Sequence, residues 1–271
     1  MTVAGHALAY RRAGNGPPLL LLHGALSDGR EWSRQLDTFA DAYEVVAWDA
    51  PGCGGSFDPV APFPLGAYAD ALAGLVKELE LGPAHVVGLS FGSGLALSFF
   101  ERYPEMVRSL VLVSAYAGWA GSLPADELAR RLHQIGEVAD TPPESWVGSM
   151  VRELLTDDAT PEVVEQVTAI TSAYRAAPTK VMGQAFAAAD LRHVLPRITV
   201  PTLLLYGAAD TRAPLDVARA LHANIPGAEL TVLEGVGHAV NLQAPERFDA
   251  TLRAFLAHVA WREATRSGVV P

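Results

Sequence analysis

The stretch His85-Val86-Val87-Gly88-Leu89-Ser90-Phe91-Gly92-Ser93-Gly94-Leu95-Ala96 joins an apolar run to a run of small residues, and that junction decides the fold. The apolar run predicts a strand covered on both faces, and the small residues after it predict a helix. Ser90 stands on the turn between them, with Gly88 two positions before and Gly92 two positions after. A strand-to-helix turn this tight accepts only small residues at those two positions and leaves the serine hydroxyl exposed above the sheet, as in a nucleophile elbow.

On either side of this junction, from residue 18 onward, short β-rich runs alternate with amphipathic stretches, the pattern of a parallel sheet with helices on both faces. Strands are predicted over 19–22, 44–48, 85–89, 109–113, 202–206 and 229–233, with an N-terminal hairpin over 3–11 around Gly5. Trp32, Leu36 and Phe39 recur at helical spacing, as do Tyr68, Leu72, Leu75 and Leu79, which gives apolar faces to cover the sheet. A last helix over 245–262 begins with Pro245 and Glu246, carries Phe248, Leu252, Phe255, Leu256 and Val259 on one face, and is expected to pack on the sheet edge. The alternation breaks over 118–196, where four helical segments follow one another and Thr160-Pro161 marks one N-terminus. The expected division is therefore a core of residues 1–117 and 197–271 and an inserted helical cap of residues 118–196.

With 271 residues, half of them hydrophobic, the chain has material for one large core. Twenty basic against thirty acidic residues, a net charge of −10, argue against a nucleic-acid partner and leave a small molecule as the expected one. The single cysteine, Cys53, excludes an intramolecular disulfide and a cysteine-rich zinc site. The N-terminal residues lack a signal-peptide core and no run is long enough to span a membrane, so a cytoplasmic location is expected. No histidine or carboxylate cluster has metal-ligand spacing and no cofactor is implied. The glycines at 52, 54 and 55 lack the lysine of a phosphate loop and the spacing of a dinucleotide fingerprint, and are read as a tight loop beside the pocket.

A serine hydroxyl is a poor nucleophile unless a base lies within hydrogen-bond reach and a carboxylate orients that base. Asp210, in Gly207-Ala208-Ala209-Asp210, follows the next-to-last predicted strand, and His238, in Gly235-Val236-Gly237-His238, follows the last. Both therefore sit on loops at the carboxyl edge of a parallel sheet, where Ser90 also emerges and where ligands bind in open α/β sheets. Asp216 and Glu234 are nearby alternatives for the acid, while Val113-Ser114-Ala115 offers no carboxylate one strand earlier.

The order serine, acid, histidine is that of the α/β-hydrolases. The sequence resembles that superfamily over nearly its whole length, through His23-Gly24, Asp49-Ala50-Pro51-Gly52-Cys53-Gly54-Gly55-Ser56, the elbow at Ser90, residues 207–210, and Gly237-His238. Within it the chain looks most like the capped esterase, enol-lactonase and carbon–carbon bond hydrolase group. The resemblance implies an α/β-hydrolase fold with a mostly parallel eight-stranded sheet, helices on both faces and an inserted helical cap. It also implies a backbone oxyanion hole, with the amide of Ala25 as one donor beside that of Phe91, the residue after the nucleophile. His23 is read as a residue that fixes its loop, and Asp49 as structural.

These residues predict a serine hydrolase that cleaves a small carboxylic ester or lactone through an acyl-enzyme on Ser90. The alternatives are carbon–carbon bond hydrolysis, lyase or perhydrolase chemistry on the same three residues, or a ligand-sensing module with negligible turnover. Trp119, Trp146, Met150, Met182, Phe186 and Val240 are expected to line the substrate pocket. Arg30 and Arg212 lie on the loops nearest the site and are read first as surface residues, with recognition of a substrate carboxylate as the alternative.

Overall fold

The computed structural model describes residues 1–266. Nine strands are formed among the described residues: β1 (Thr2–Val3), β2 (His6–Ala7), β3 (Tyr10–Ala13), β4 (Pro18–Leu22), β5 (Glu44–Trp48), β6 (Ala84–Leu89), β7 (Val107–Val113), β8 (Thr202–Gly207) and β9 (Glu229–Leu233). All six predicted strands are present and their bounds agree within two residues. The reason is physical: β4 to β8 are buried on both faces, so their sequences run apolar without alternation.

The main sheet has seven strands in the order β3-β5-β4-β6-β7-β8-β9, parallel except for the antiparallel edge strand β3, which pairs Tyr10 with Trp48. This is one strand fewer than the eight the resemblance implies. The predicted hairpin divides in two, because β1 and β2 pair only with each other around Ala4-Gly5 while β3 leaves to join the sheet. The strand Tyr10-Arg11-Arg12-Ala13 is half exposed and polar, which hid it within the hairpin.

Side chains alternate between the two faces. Leu20, Leu22, Val86, Leu110, Leu112 and Leu204 face α2 (Leu65–Glu78) and α3 (Phe91–Arg102), with α8 (Leu215–Asn224) nearby in the same cluster. Leu19, Leu21, Val87, Val111 and Leu203 face α1 (Ser33–Phe39) and the C-terminal helix α10 (Pro245–Arg266). The C-terminal helix therefore covers a face of the sheet, not its edge. Its five apolar side chains are buried in one cluster with residues of β4, β6, β7 and β8, which an edge position would not achieve.

Four helices lie between β7 and β8: α4 (Ala125–Asp140), α5 (Val147–Leu154), α6 (Pro161–Ser172) and α7 (Ala176–Ala188). Helix α6 begins with Pro161 at its first position, where the missing N–H costs nothing. A short α9 (Val240–Gln243) follows the last strand. No helix among the described residues is long and apolar enough to cross a membrane.

The strand order locates the site. From β4 the chain moves outward to β5, then crosses back to β6 on the other side of β4. The loops after β4 and β6 therefore diverge and open a crevice at the carboxyl ends of the strands, the position where doubly wound sheets bind ligands.

Candidate active site

Ser90 sits at the end of β6 with φ +53° and ψ −111°, a conformation that non-glycine residues rarely hold. Its amide donates to the Val113 carbonyl at 2.9 Å, and its carbonyl accepts from the Ser93 amide at 3.0 Å and from the Ser93 hydroxyl. A Cβ on Gly88 would lie 2.2 Å from the Gly92 carbonyl oxygen, and one on Gly92 would lie 2.2 Å from the Leu22 carbonyl oxygen. Contacts that short admit no side chain, which is the reason for the spacing read in the sequence.

His238 and Asp210 meet across the loops after β9 and β8. The imidazole Nδ1 lies 2.9 Å from Asp210 Oδ2 and 3.0 Å from Oδ1, and both side chains are buried. The two loops are tied together because the Ala208 and Ala209 amides donate to the Leu233 and Val236 carbonyls at 2.9 Å each. Asp210 Oδ1 also accepts the amides of Arg212 at 2.9 Å and Ala213 at 2.8 Å. Burial alone would push the Asp210 carboxyl up. The charge and hydrogen bond of His238, the Ala213 amide and the Ser114 hydroxyl outweigh it and hold the carboxyl below its ordinary value. An ionised carboxylate only accepts, so it fixes the proton of His238 on Nδ1 and leaves Nε2 free to act as a base.

The two alternative acids do not enter the site. Asp216 is exposed and paired with Arg219 at 2.8 Å, and Glu234 is exposed. Ser90 and His238 line the same cavity. Among the described residues the Asp210–His238 link is closed, and no hydrogen bond joins His238 to Ser90. Such contacts commonly tighten only when substrate is bound.

Phe91 is the first residue of α3, so its amide has no acceptor within the helix. Ala25 lines the cavity beside Ser90. The peptide leading into Ala25 is gripped by His23, as the loop-fixing reading of that residue expects. The Ala50 amide donates to His23 Nε2 at 3.0 Å, so Nδ1 carries the proton and donates to the Gly24 carbonyl at 2.7 Å. Burial lowers the basicity of His23 and keeps it neutral in that tautomer, against the pull of Asp49 and Asp28. Asp49 is structural as well, accepting the Gly29 amide at 2.8 Å and the Gly55 amide at 2.9 Å and so joining the loops after β4 and β5.

The cavity over Ser90 has about 690 Å³ of empty space, open solvent at its mouth included, and a second of about 520 Å³ on the same measure shares part of its wall. Of the predicted pocket residues, Trp119, Met150 and Phe186 line both, and Met182 lines the second with Phe91. Trp146 and Val240 line neither. Trp146 packs edge-on to Tyr174 at 5.0 Å inside the cluster formed by α5 and α6, and Val240 is fully buried against the sheet with α10. Helical spacing marks an apolar face without saying whether a cavity or a neighbouring helix lies opposite.

Sequence reasoning missed two charged residues on the cavity wall, Glu31 and Arg131. Arg131 is only 4% exposed and crosses from α4 to the core, donating to the Tyr116 hydroxyl at 2.9 Å, the Arg212 carbonyl at 2.7 Å and Glu127 at 2.7 Å. Arg212, read first as a surface residue, lines both cavities and pairs with Glu153 of α5. Arg30 stays on the surface side, paired with Asp28 at 2.7 Å.

A mostly parallel sheet with a serine elbow and a buried acid–histidine pair at its carboxyl edge defines the class. Residues 17–245 match the family model of the alpha/beta hydrolase fold, and the chain belongs to that family. It is similar to a 2-hydroxy-6-oxononadienedioate/2-hydroxy-6-oxononatrienedioate hydrolase of a Pseudomonas species, with 29% identity over 90% of each chain. Among solved structures it resembles a thermophilic esterase from Thermogutta terrifontis, with 28% identity, a TM-score of 0.85 and 94% of each chain covered. An enol-lactonase from Burkholderia xenovorans LB400 shares the fold at a TM-score of 0.86, with 24% identity over 94% of this chain and 98% of that one.

Proposed function

We propose that this hydrolase-family chain cleaves a small carboxylic ester or lactone through an acyl-enzyme on Ser90. The observation that carries the reading is the closed, buried Asp210–His238 pair on the cavity that Ser90 lines. In this reading His238 Nε2 takes the Ser90 proton as the oxygen attacks the carbonyl carbon. The oxyanion is met by the amides of Ala25 and Phe91, and the leaving alcohol departs with the proton from His238. Water, activated by the same imidazole, then releases the acid. We read residues 118–196 as a cap over the core of residues 1–117 and 197–271, supported by the contribution of α4, α5, α6 and α7 to the cavity walls. A single cysteine supports a cytoplasmic setting for this chemistry.

A fluorophosphonate tests the nucleophile. Labelling of the folded protein that disappears in Ser90→Ala is expected, and folded protein that takes no label overturns the reading. Turnover of a panel of esters of increasing acyl length beside a set of lactones then separates the two substrate types. Carbon–carbon bond hydrolysis is favoured as a second reading by the Pseudomonas relative. Turnover of the compound that names that relative, with esters untouched, would select it.

A further inference from the structure

Among the described residues Glu31 is the one carboxylate on the wall of the cavity over Ser90, and the proposed chemistry does not use it. It lies in the 3-10 turn Gly29–Trp32, is 5% exposed, and its Oε2 accepts the Gly24 amide at 2.8 Å. Gly24 is thus held at both ends, its amide by Glu31 and its carbonyl by His23. The peptide so fixed is the one whose N–H belongs to Ala25.

We propose that Glu31 is the positioning residue of the Ala25 oxyanion donor, and that ionisation of its carboxyl switches the reaction down. The inference rests on the serine-hydrolase reading. A neutral carboxyl holds the Gly24 amide without adding charge to the site. An ionised one holds the same amide but places a negative charge on the wall of the cavity where the oxyanion must form, and in a water-poor site that repulsion is poorly screened. Burial, opposed by the Gly24 amide and the Ser27 hydroxyl and assisted by Asp28, pushes the Glu31 carboxyl up to about 7, within the working range of a histidine base.

The surrounding charges leave Glu31 without a cation of its own. On its own turn Arg30 is taken by Asp28. At the end of β4 His23 is neutral, and past β5 Asp49 is held by two amides with Arg11 at 3.8 Å. From α1, Gln35 and Arg34 turn to Asp249 of α10. Helix α6 presents Val167, Ile170 and Thr171 to the cavity, and the remaining ionisable groups on its wall are His238, Arg131 and Arg212, the arginines already bound to Glu127 and Glu153.

The experiment measures the rate constant of Ser90 phosphonylation by a fluorophosphonate from pH 5.5 to 9 in wild type, Glu31→Gln and Glu31→Ala, with thermal midpoints at each pH. Glutamine keeps an acceptor for the Gly24 amide and cannot ionise. Wild type is expected to fall roughly tenfold as pH rises through about 7, whereas Glu31→Gln shows no such fall. Glu31→Ala, which also loses the clamp, is expected to react about 10²-fold more slowly at every pH. The thermal midpoint of Glu31→Gln should gain on wild type as pH rises from 5.5 to 8, because the folded state favours the protonated Glu31. That contribution is complete below the ordinary value of 4.5 and is lost as pH rises through about 7. Parallel pH–rate profiles in wild type and Glu31→Gln overturn the proposal while leaving the serine reading intact. Absence of labelling at every pH overturns both. If Glu31→Ala does not fold, the glutamine comparison decides alone.

Discussion

His238 and Asp210, 28 residues apart in the chain, hold each other at 2.9 Å with both side chains removed from solvent. A carboxylate in that position selects which imidazole nitrogen carries the proton, so its value is in orientation as much as in charge.

Replacing that acceptor with an amide tests the point. Asp210→Asn keeps the shape but can turn its NH2 toward Nδ1 and favour the wrong tautomer. On the proposed serine-hydrolase reading, ester turnover should fall by about 10³–10⁴-fold in kcat with KM little changed. The same substitution changes the acid limb of stability. Because the folded state holds Asp210 below its ordinary value, its contribution is present above the unfolded value and is lost as pH falls through the folded one. Thermal unfolding of Asp210→Asn should therefore depend less on pH below about 4.

Ser90 trades stability for position. Its φ of +53° is strained for any residue with a Cβ, so Ser90→Gly should raise stability by about 1 kcal/mol in urea unfolding while abolishing fluorophosphonate labelling. Ser90→Ala should lose the label without that gain.

The glycine two positions after Ser90 has no room to change. Gly92→Ala sets a methyl carbon 2.2 Å from the Leu22 carbonyl oxygen, and the β4 backbone must move to relieve it. A loss of about 3 kcal/mol in urea unfolding, or failure to accumulate folded protein, is expected.

Arg131 ties α4 to the core through Tyr116 and the Arg212 carbonyl and lies over the Trp119 ring at 5.4 Å. Arg131→Met removes the cation; Glu127 keeps Arg130, while the Tyr116 hydroxyl and the Arg212 carbonyl are left only with each other. Destabilisation of about 3 kcal/mol is expected, and limited proteolysis should cut first between β7 and β8.

How legible the chain was depends on what each residue faces. The strands from β4 to β8 were readable because burial on both faces demands apolar residues without a break, and the convergence of Ser90, Asp210 and His238 was readable because parallel strands put successive loop tips at one edge. The strand β3 was not, because an edge strand with one exposed face can be written Tyr-Arg-Arg-Ala. Trp146 and Val240 carried the same apolar signal as Trp119 and Met150, and only packing separates a residue beside a cavity from one beside another helix.

The sequence by itself determined a parallel α/β sheet, a serine on a glycine-flanked turn, and the order of the acid and base that follow it. Those are local properties, written in periodicity, small residues and strand ends. The tertiary structure decided which charges are inside. Nothing in the sequence singled out Glu31 or Arg131, yet both line the cavity over Ser90, because burial depends on what the rest of the chain lays across a side chain and not on the side chain's own neighbours in sequence.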